Sequence, residues 1–139
     1  MTTTIHGECH CGNISYELET ALPVEDIVAR ACDCSFCRRH VTKNWSDPNG
    51  SARLRVEDSA ALSKYQFGFR GIDFFICAIC GGYAGAVLDD ADGTWATLNL
   101  RMSNLDDVKS APASYGGQSA DDMRARRKRM WTPALVEGG

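Results

Sequence analysis

The chain has no apolar run approaching the ~18 residues that would suggest a membrane span. Its first residues, Met1-Thr2-Thr3-Thr4-Ile5-His6-Gly7, lack the basic and apolar regions of a signal peptide, so a cytoplasmic location is expected. Internal repeats and low-complexity segments are missing. So is a strong charge of one sign: 15 Lys and Arg stand against 18 Asp and Glu, a net −3, and nothing in that balance calls for nucleic acid. An even cysteine count is missing too. Seven cysteines cannot pair completely within one chain, and a reducing compartment favours metal or catalytic roles over disulfides. What remains is 139 residues, 44% of them hydrophobic, enough for one domain with one core.

The apolar residues fall in short, mostly strand-like segments. Ile14, Tyr16 and Leu18 alternate with polar residues across Asn13–Glu19, as in a half-buried strand. Arg53–Glu57 alternates around Leu54 and Val56, and Ile72–Cys77 is β-branched and aromatic. Tyr83–Leu88 and Thr94–Leu100 read as two more strands, separated by the turn-like Asp89-Asp90-Ala91-Asp92-Gly93. Val24–Cys32 fits strand or helix, while Ala60–Tyr65 and Asn104–Val108 read as short helical turns. Asp47-Pro48-Asn49-Gly50 is a turn signal. Pro112 and Gly116-Gly117 mark a loop, after which Ser119-Ala120-Asp121-Asp122 starts a terminal helix ending in the basic run Arg124–Arg129. The expected fold is mainly β, with small antiparallel sheets and little helix. Such sheets bury limited area, so zinc between them would add stability.

The cysteines form three groups: Cys9-His10-Cys11-Gly12, Cys32-Asp33-Cys34-Ser35-Phe36-Cys37 and Cys77-Ala78-Ile79-Cys80-Gly81. Zinc takes four ligands in a closed structural site and keeps a position open in a catalytic one. Seven thiolates divide as four plus three. Cys77-x-x-Cys80-Gly81 has the form of a zinc knuckle at a hairpin tip, its glycine free to take the positive φ of the turn. Cys9-x-Cys11-Gly12 reads as an extended segment, whose period of two puts both thiols on one side where they reach the same ion. Cys9, Cys11, Cys77 and Cys80 are the expected closed site. Cys32, Cys34 and Cys37 hold a second ion and leave its fourth position to water, a substrate thiol or His40 three residues on. His6 and His10 read as incidental neighbours. Arg38 and Arg39 offset the charge of the trio, hold a substrate carboxylate, or are ordinary charged surface. The basic run near the C-terminus reads as a solvated helix end or an anion-binding edge.

The pattern Gly7-x-Cys9-His10-Cys11-Gly12-x-x-x-Tyr16-Glu17, Cys32-x-Cys34-Ser35-x-Cys37-Arg38 and Cys77-x-x-Cys80-Gly81 resembles the glutathione-dependent formaldehyde-activating enzyme family, also called the GFA or CENP-V domain family. The likeness runs from about Ile5 to about Leu105. It implies a β-tent architecture, small antiparallel sheets with zinc between them. It implies two zinc ions per chain: a structural one on Cys9, Cys11, Cys77 and Cys80, and a catalytic one on Cys32, Cys34 and Cys37. The activity implied is that of S-(hydroxymethyl)glutathione synthase, a carbon–sulfur lyase run in reverse, with glutathione and formaldehyde as partners. Asp33 stands where the family often has a further His or a small residue. His40-Val41-Thr42-Lys43-Asn44-Trp45 lacks the small residues often found there, so the catalytic pocket is expected to differ.

Two readings follow. In one, residues 1–110 form a zinc-binding unit that handles thiol–aldehyde adducts, with Cys32, Cys34 and Cys37 as catalytic residues and 111–139 as an extension packed on or extending from it. In the other the chain is a non-catalytic zinc-stabilised binding module. There His40 closes the second site, and the basic tail, Trp45 or Trp131 contacts a partner. A homo-oligomer is compatible with both.

Overall fold

The computed structural model describes residues 2–138. Eleven strands and two short α-helices follow one another among these residues: β1 (Thr3–Glu8), β2 (Ile14–Thr20), β3 (Ala29–Cys32), α1 (Ser35–His40), β4 (Asn44–Trp45), β5 (Ser51–Val56), β6 (Leu62–Tyr65), β7 (Asp73–Cys77), β8 (Tyr83–Asp90), β9 (Gly93–Asn99), β10 (Ser110–Ala113), α2 (Ala120–Met130) and β11 (Thr132–Gly138). The protein is therefore mainly β, with the expected short helix near its C-terminus. No helix among the described residues is long and apolar enough to cross a membrane.

The strands form one open, mixed network. β1, β2 and β5 pair antiparallel in sequence order. On the other side β6, β7, β8 and β9 form an antiparallel meander. β11 joins the two: Thr132 and Pro133 pair with Ala96 and Trp95 of β9, and Ala134–Gly138 runs parallel to Ala52–Val56 of β5. Beyond β11, the short β4 continues along β9, followed by β3 and then β10, which lies parallel to β3. Two parallel pairs thus join an otherwise antiparallel set.

The core follows from strand alternation. Ile5, Tyr16, Leu18, Leu54 and Val56 point inward from β1, β2 and β5 and meet Phe75, Val87 and Leu98 from the meander. Phe74, Ala86 and Leu88 point to the opposite face and pack with Phe36, Tyr83 and Trp131. Within the meander β7 and most of β8 are buried on both faces, which is why Asp73–Cys77 reads as a nearly continuous apolar run, whereas β6 is largely exposed. Trp45 and Trp131 are both buried and offer no exposed contact surface.

Three local expectations are corrected. Cys9–Gly12 is a turn joining β1 to β2, closed by the Gly12 N–H bonding to the Cys9 carbonyl at 2.9 Å, and is not extended. Within Ala60–Tyr65 the turn ends at Ala61, and Leu62–Tyr65 is β6, held by its ladder with β7. Pro112 lies inside β10, not in the loop, at the edge of the sheet where a missing N–H costs nothing.

Candidate metal centres

The first centre lies where two hairpin tips meet. The β1–β2 turn carries Cys9 and Cys11, and the β7–β8 turn carries Cys77 and Cys80. Gly81 takes φ +79, the left-handed conformation that closes the second turn. The N–H groups of Ile79 and Cys80 then point at the Cys77 sulfur, at 3.3 and 3.5 Å, and the Ile14 N–H reaches the Cys9 sulfur at 3.3 Å. Burial alone would raise the Cys80 thiol. The backbone N–H groups of Cys11 and Gly82, with hydrogen bonds from Cys9 and Cys77, outweigh it and bring the thiol down to about 6. Gly7, two residues before Cys9, has a packing reason: a Cβ there would land in the ring of Tyr16 across the β1–β2 pair. Tyr16 in turn donates to the Asn99 carbonyl at 2.7 Å and ties the first sheet to the end of β9.

All seven cysteines are free thiols. The Cys9–Cys11 and Cys11–Cys77 sulfurs are 3.8 and 3.5 Å apart, too far for a disulfide. The four sulfurs lie within 4.8 Å of one another. Zinc–sulfur bonds of about 2.3 Å in a tetrahedron require sulfurs about 3.8 Å apart, so this donor set fits zinc.

The second group is Cys32 at the end of β3, Cys34 capping α1 and Cys37 within it. Their sulfurs also lie within 4.8 Å of one another, and no His, Asp or Glu among the described residues joins them. Three soft donors suit zinc with one position left to another ligand. His40 does not join because its Nδ1 is engaged with the Phe36 carbonyl at 3.0 Å and its ring stacks on Phe36, 4.1 Å between centroids. The Cys34 thiol is held well below its ordinary value, first by hydrogen bonds from Cys32 and Cys37 and then by the Cys37 and Phe36 N–H groups. The bond to Cys34 pushes Cys32 up, and the bonds to Cys32 and Cys34 push Cys37 up.

Residues beyond the motif complete this group. The Asn44 amide donates to the Cys37 sulfur at 3.4 Å, and the Tyr83 hydroxyl donates to Asn44 Oδ1 at 3.0 Å. Burial, reinforced by the three nearby thiols, holds the Tyr83 phenol well above its ordinary range, so it stays a donor. Val41 ends α1 at φ 51, unusual for a β-branched residue, with its carbonyl taken by Arg101 Nε at 2.7 Å. That bend turns the chain from Cys37 back to Asn44.

The trio opens onto a cavity of about 500 Å3. Phe67, Phe74 and Trp131 form its apolar wall, and Arg30, Arg126 and Arg127 line it as well. Arg38 and Arg39 do not. Both are exposed, and Arg39 donates to the Ser35 carbonyl at 3.0 Å, so of the readings open for them the structure fits ordinary charged surface and not a place facing the trio. Their place is taken by Arg30 and by two residues of the basic run. Arg30 was findable: it lies two residues before Cys32 on β3, and alternation places both on one face. Asn44 and Tyr83 carry no local signal, because only the pairing of β4 and β8 with β9 brings them together.

A crystal structure of a Rhodobacter sphaeroides protein is similar to this chain, with 26% identity over 100% of both chains and a TM-score of 0.47. No curated protein matches it. The sequence model of the glutathione-dependent formaldehyde-activating enzyme family matches residues 4–115, a span that takes in all seven cysteines and stops short of α2. With its three cysteine groups gathered into two metal-competent clusters inside that span, the chain belongs to the glutathione-dependent formaldehyde-activating enzyme family.

Proposed function

We propose that the protein is a zinc-dependent carbon–sulfur lyase-type enzyme that handles thiol–aldehyde adducts, such as that of glutathione and formaldehyde. The observation that carries this reading is a three-thiol cluster with no fourth protein ligand among the described residues, opening directly onto a large cavity. Cys9, Cys11, Cys77 and Cys80 would hold a structural zinc, and Cys32, Cys34 and Cys37 a catalytic one. At the second site zinc supplies Lewis acidity and lowers the pKa of a thiol it touches. The chain does the rest. Asn44, fixed by Tyr83, holds the Cys37 sulfur in place. Phe67, Phe74 and Trp131 exclude water, and the cavity arginines attract an anionic partner. In the reaction the thiol sulfur bonds to the aldehyde carbon, the carbonyl π pair moves to oxygen, and oxygen takes the thiol proton.

The domain reading belongs with this proposal: residues 1–110 as the zinc-binding unit and 111–139 as an extension. The pairings of β10 with β3 and of β11 with β5 and β9 fit an extension packed on that unit. The test combines elemental analysis with turnover of glutathione and formaldehyde. Protein purified under reducing conditions should carry two zinc ions per chain. Cys34→Ala should keep one and lose turnover by about 100-fold or more. Undiminished turnover in Cys34→Ala would refute the proposal.

A further inference from the structure

α2 divides its cations between two tasks. Arg124 and Lys128, four residues apart, are paired: both reach Asp90, at 3.1 and 2.8 Å, and Lys128 also reaches Asp92 at 2.8 Å. Arg126 and Arg127 line the cavity and, like Arg30, enter no ion pair among the described residues. The Arg127 Nε is buried with no hydrogen-bond partner, and the guanidinium lies over Trp131, 5.5 Å from the ring centre. Burial first, then Arg126 and Arg124, bring Arg127 down to about 10, so it keeps its charge at neutral pH. Arg126 is positioned from two sides, stacked 3.8 Å over Tyr115 with its Nε on Gln118 Oε1 at 3.1 Å. Arg30 is positioned by the hydroxyls of Ser46 and Thr97, at 3.0 and 2.9 Å.

Three oriented guanidiniums in a largely apolar cavity are unbalanced. Among the described residues Asp33 is the one carboxylate lining the cavity, and its side chain is exposed. Three thiolates around a divalent ion add a single net negative charge against these three guanidiniums and against Arg70, an exposed fourth arginine at the cavity wall. An unsatisfied buried donor is costly, and a guanidinium fork matches a carboxylate. A cavity of about 500 Å3 is also the size that encloses a ring-bearing molecule, and formaldehyde cannot fill it.

We propose that this cavity receives an aromatic carboxylate, its anion gripped by Arg127 and Arg126 and its ring set among Phe67, Phe74 and Trp131, and that this molecule is the carbonyl partner of the thiol. The assignment rests on the lyase-type reading of the trio. Arg126 and Arg127 lie outside the span matched by the family, so the specificity belongs to the C-terminal extension of this chain. Addition of a thiol to an aromatic aldehyde is balanced in itself: one carbon–sulfur bond forms, the carbonyl π bond opens, and the thiol proton goes to oxygen.

The test is calorimetric titration of the zinc-loaded full chain with 4-carboxybenzaldehyde and with benzaldehyde. The acid should bind about tenfold or more tightly than the uncharged ring. That advantage should fall to about twofold in Arg127→Gln and at least halve in Arg126→Gln, a variant that leaves the Trp131 contact in place. Arg129→Gln, exposed and outside the cavity, should leave it unchanged. Equal binding of the two probes overturns the inference, as does an advantage that survives both cavity variants. Displacement of the acid by glutathione, one for one, also overturns it by assigning the arginines to the thiol partner. Turnover separates this inference from its basis. Formaldehyde turnover without charge preference leaves the lyase-type reading and removes the aromatic carboxylate. Selective binding of the acid with neither aldehyde consumed upholds the ligand and overturns the lyase-type reading.

Discussion

Tyr83 and Asn44 decide how the second cysteine group is held. The phenol donates to the Asn44 carbonyl oxygen, and the Asn44 amide, also shared with Thr42 Oγ1 at 3.3 Å, donates to Cys37. Tyr83→Phe leaves a buried amide oxygen unpaired. It should cost about 1–3 kcal/mol in a denaturant titration and lower turnover with the metal content unchanged. An unchanged midpoint would show that Asn44 is held by other means. At this scale the sequence was generous with cysteines and silent about their supports. Cysteine spacing announced both groups because each is partly local: three thiols within six residues, or two within four. Asn44 and Tyr83 are 39 residues apart and gain meaning only through β9.

Among the elements, α2 is held in an unusual way. No residue of this helix is buried, so it docks through ion pairs and arginine stacking instead of an apolar stripe. The Asp90 carboxylate is the hub, held at about 2 against an ordinary 3.8, first by the Lys128 hydrogen bond and also by Arg124. A depressed carboxylate contributes stability that is fully present above its unfolded value and lost as pH falls through its folded value. Thermal melts of the protein and of Asp90→Asn should therefore differ at pH 5 and converge as pH falls from about 4 toward 2. A constant gap across that range would count against the hub. The first cysteine group is the other element-scale device, since it ties the β1–β2 and β7–β8 tips together. Chelation should raise amide exchange at residues 9–13 and 77–82 before it does so in β8 and β9. Strands with clean alternation, β2 and β5, were legible from their residues. α1 was not, because its six residues, Ser35 to His40, are too few to show a helical period, and its start is fixed by the Cys34 sulfur accepting from the Cys37 N–H at 3.3 Å.

At the scale of the molecule, β11 closes the network. It completes β9 with its first two residues and β5 with the next five. Its start is pinned by Thr132, whose hydroxyl accepts the Asp47 N–H at 2.7 Å, while Asp47 accepts from Thr20 at 2.6 Å. A chain ending after Trp131 should lose cooperative unfolding, since both sheets then end in open edges. A sharp melt within about 5 °C of the full chain would contradict this. Nothing in Thr132–Gly138 announces a strand: Pro133 interrupts it, two glycines follow or end it, and its partner is distant in sequence. The overall class was readable because strand period is local. The join between sheets was not, because it depends on a parallel register that no local pattern encodes.

That distance sets a timetable for synthesis. Glu137 is made 82 residues after its partner Arg55, whereas Cys77 follows Cys11 by 66, so the first cysteine cluster is complete in sequence before β5 can be covered. At ribosomal speeds β5 waits roughly ten seconds with one edge bare. It waits behind Arg53 and Arg55, charges that later pair with Glu137 and until then keep a nascent sheet edge from finding another chain.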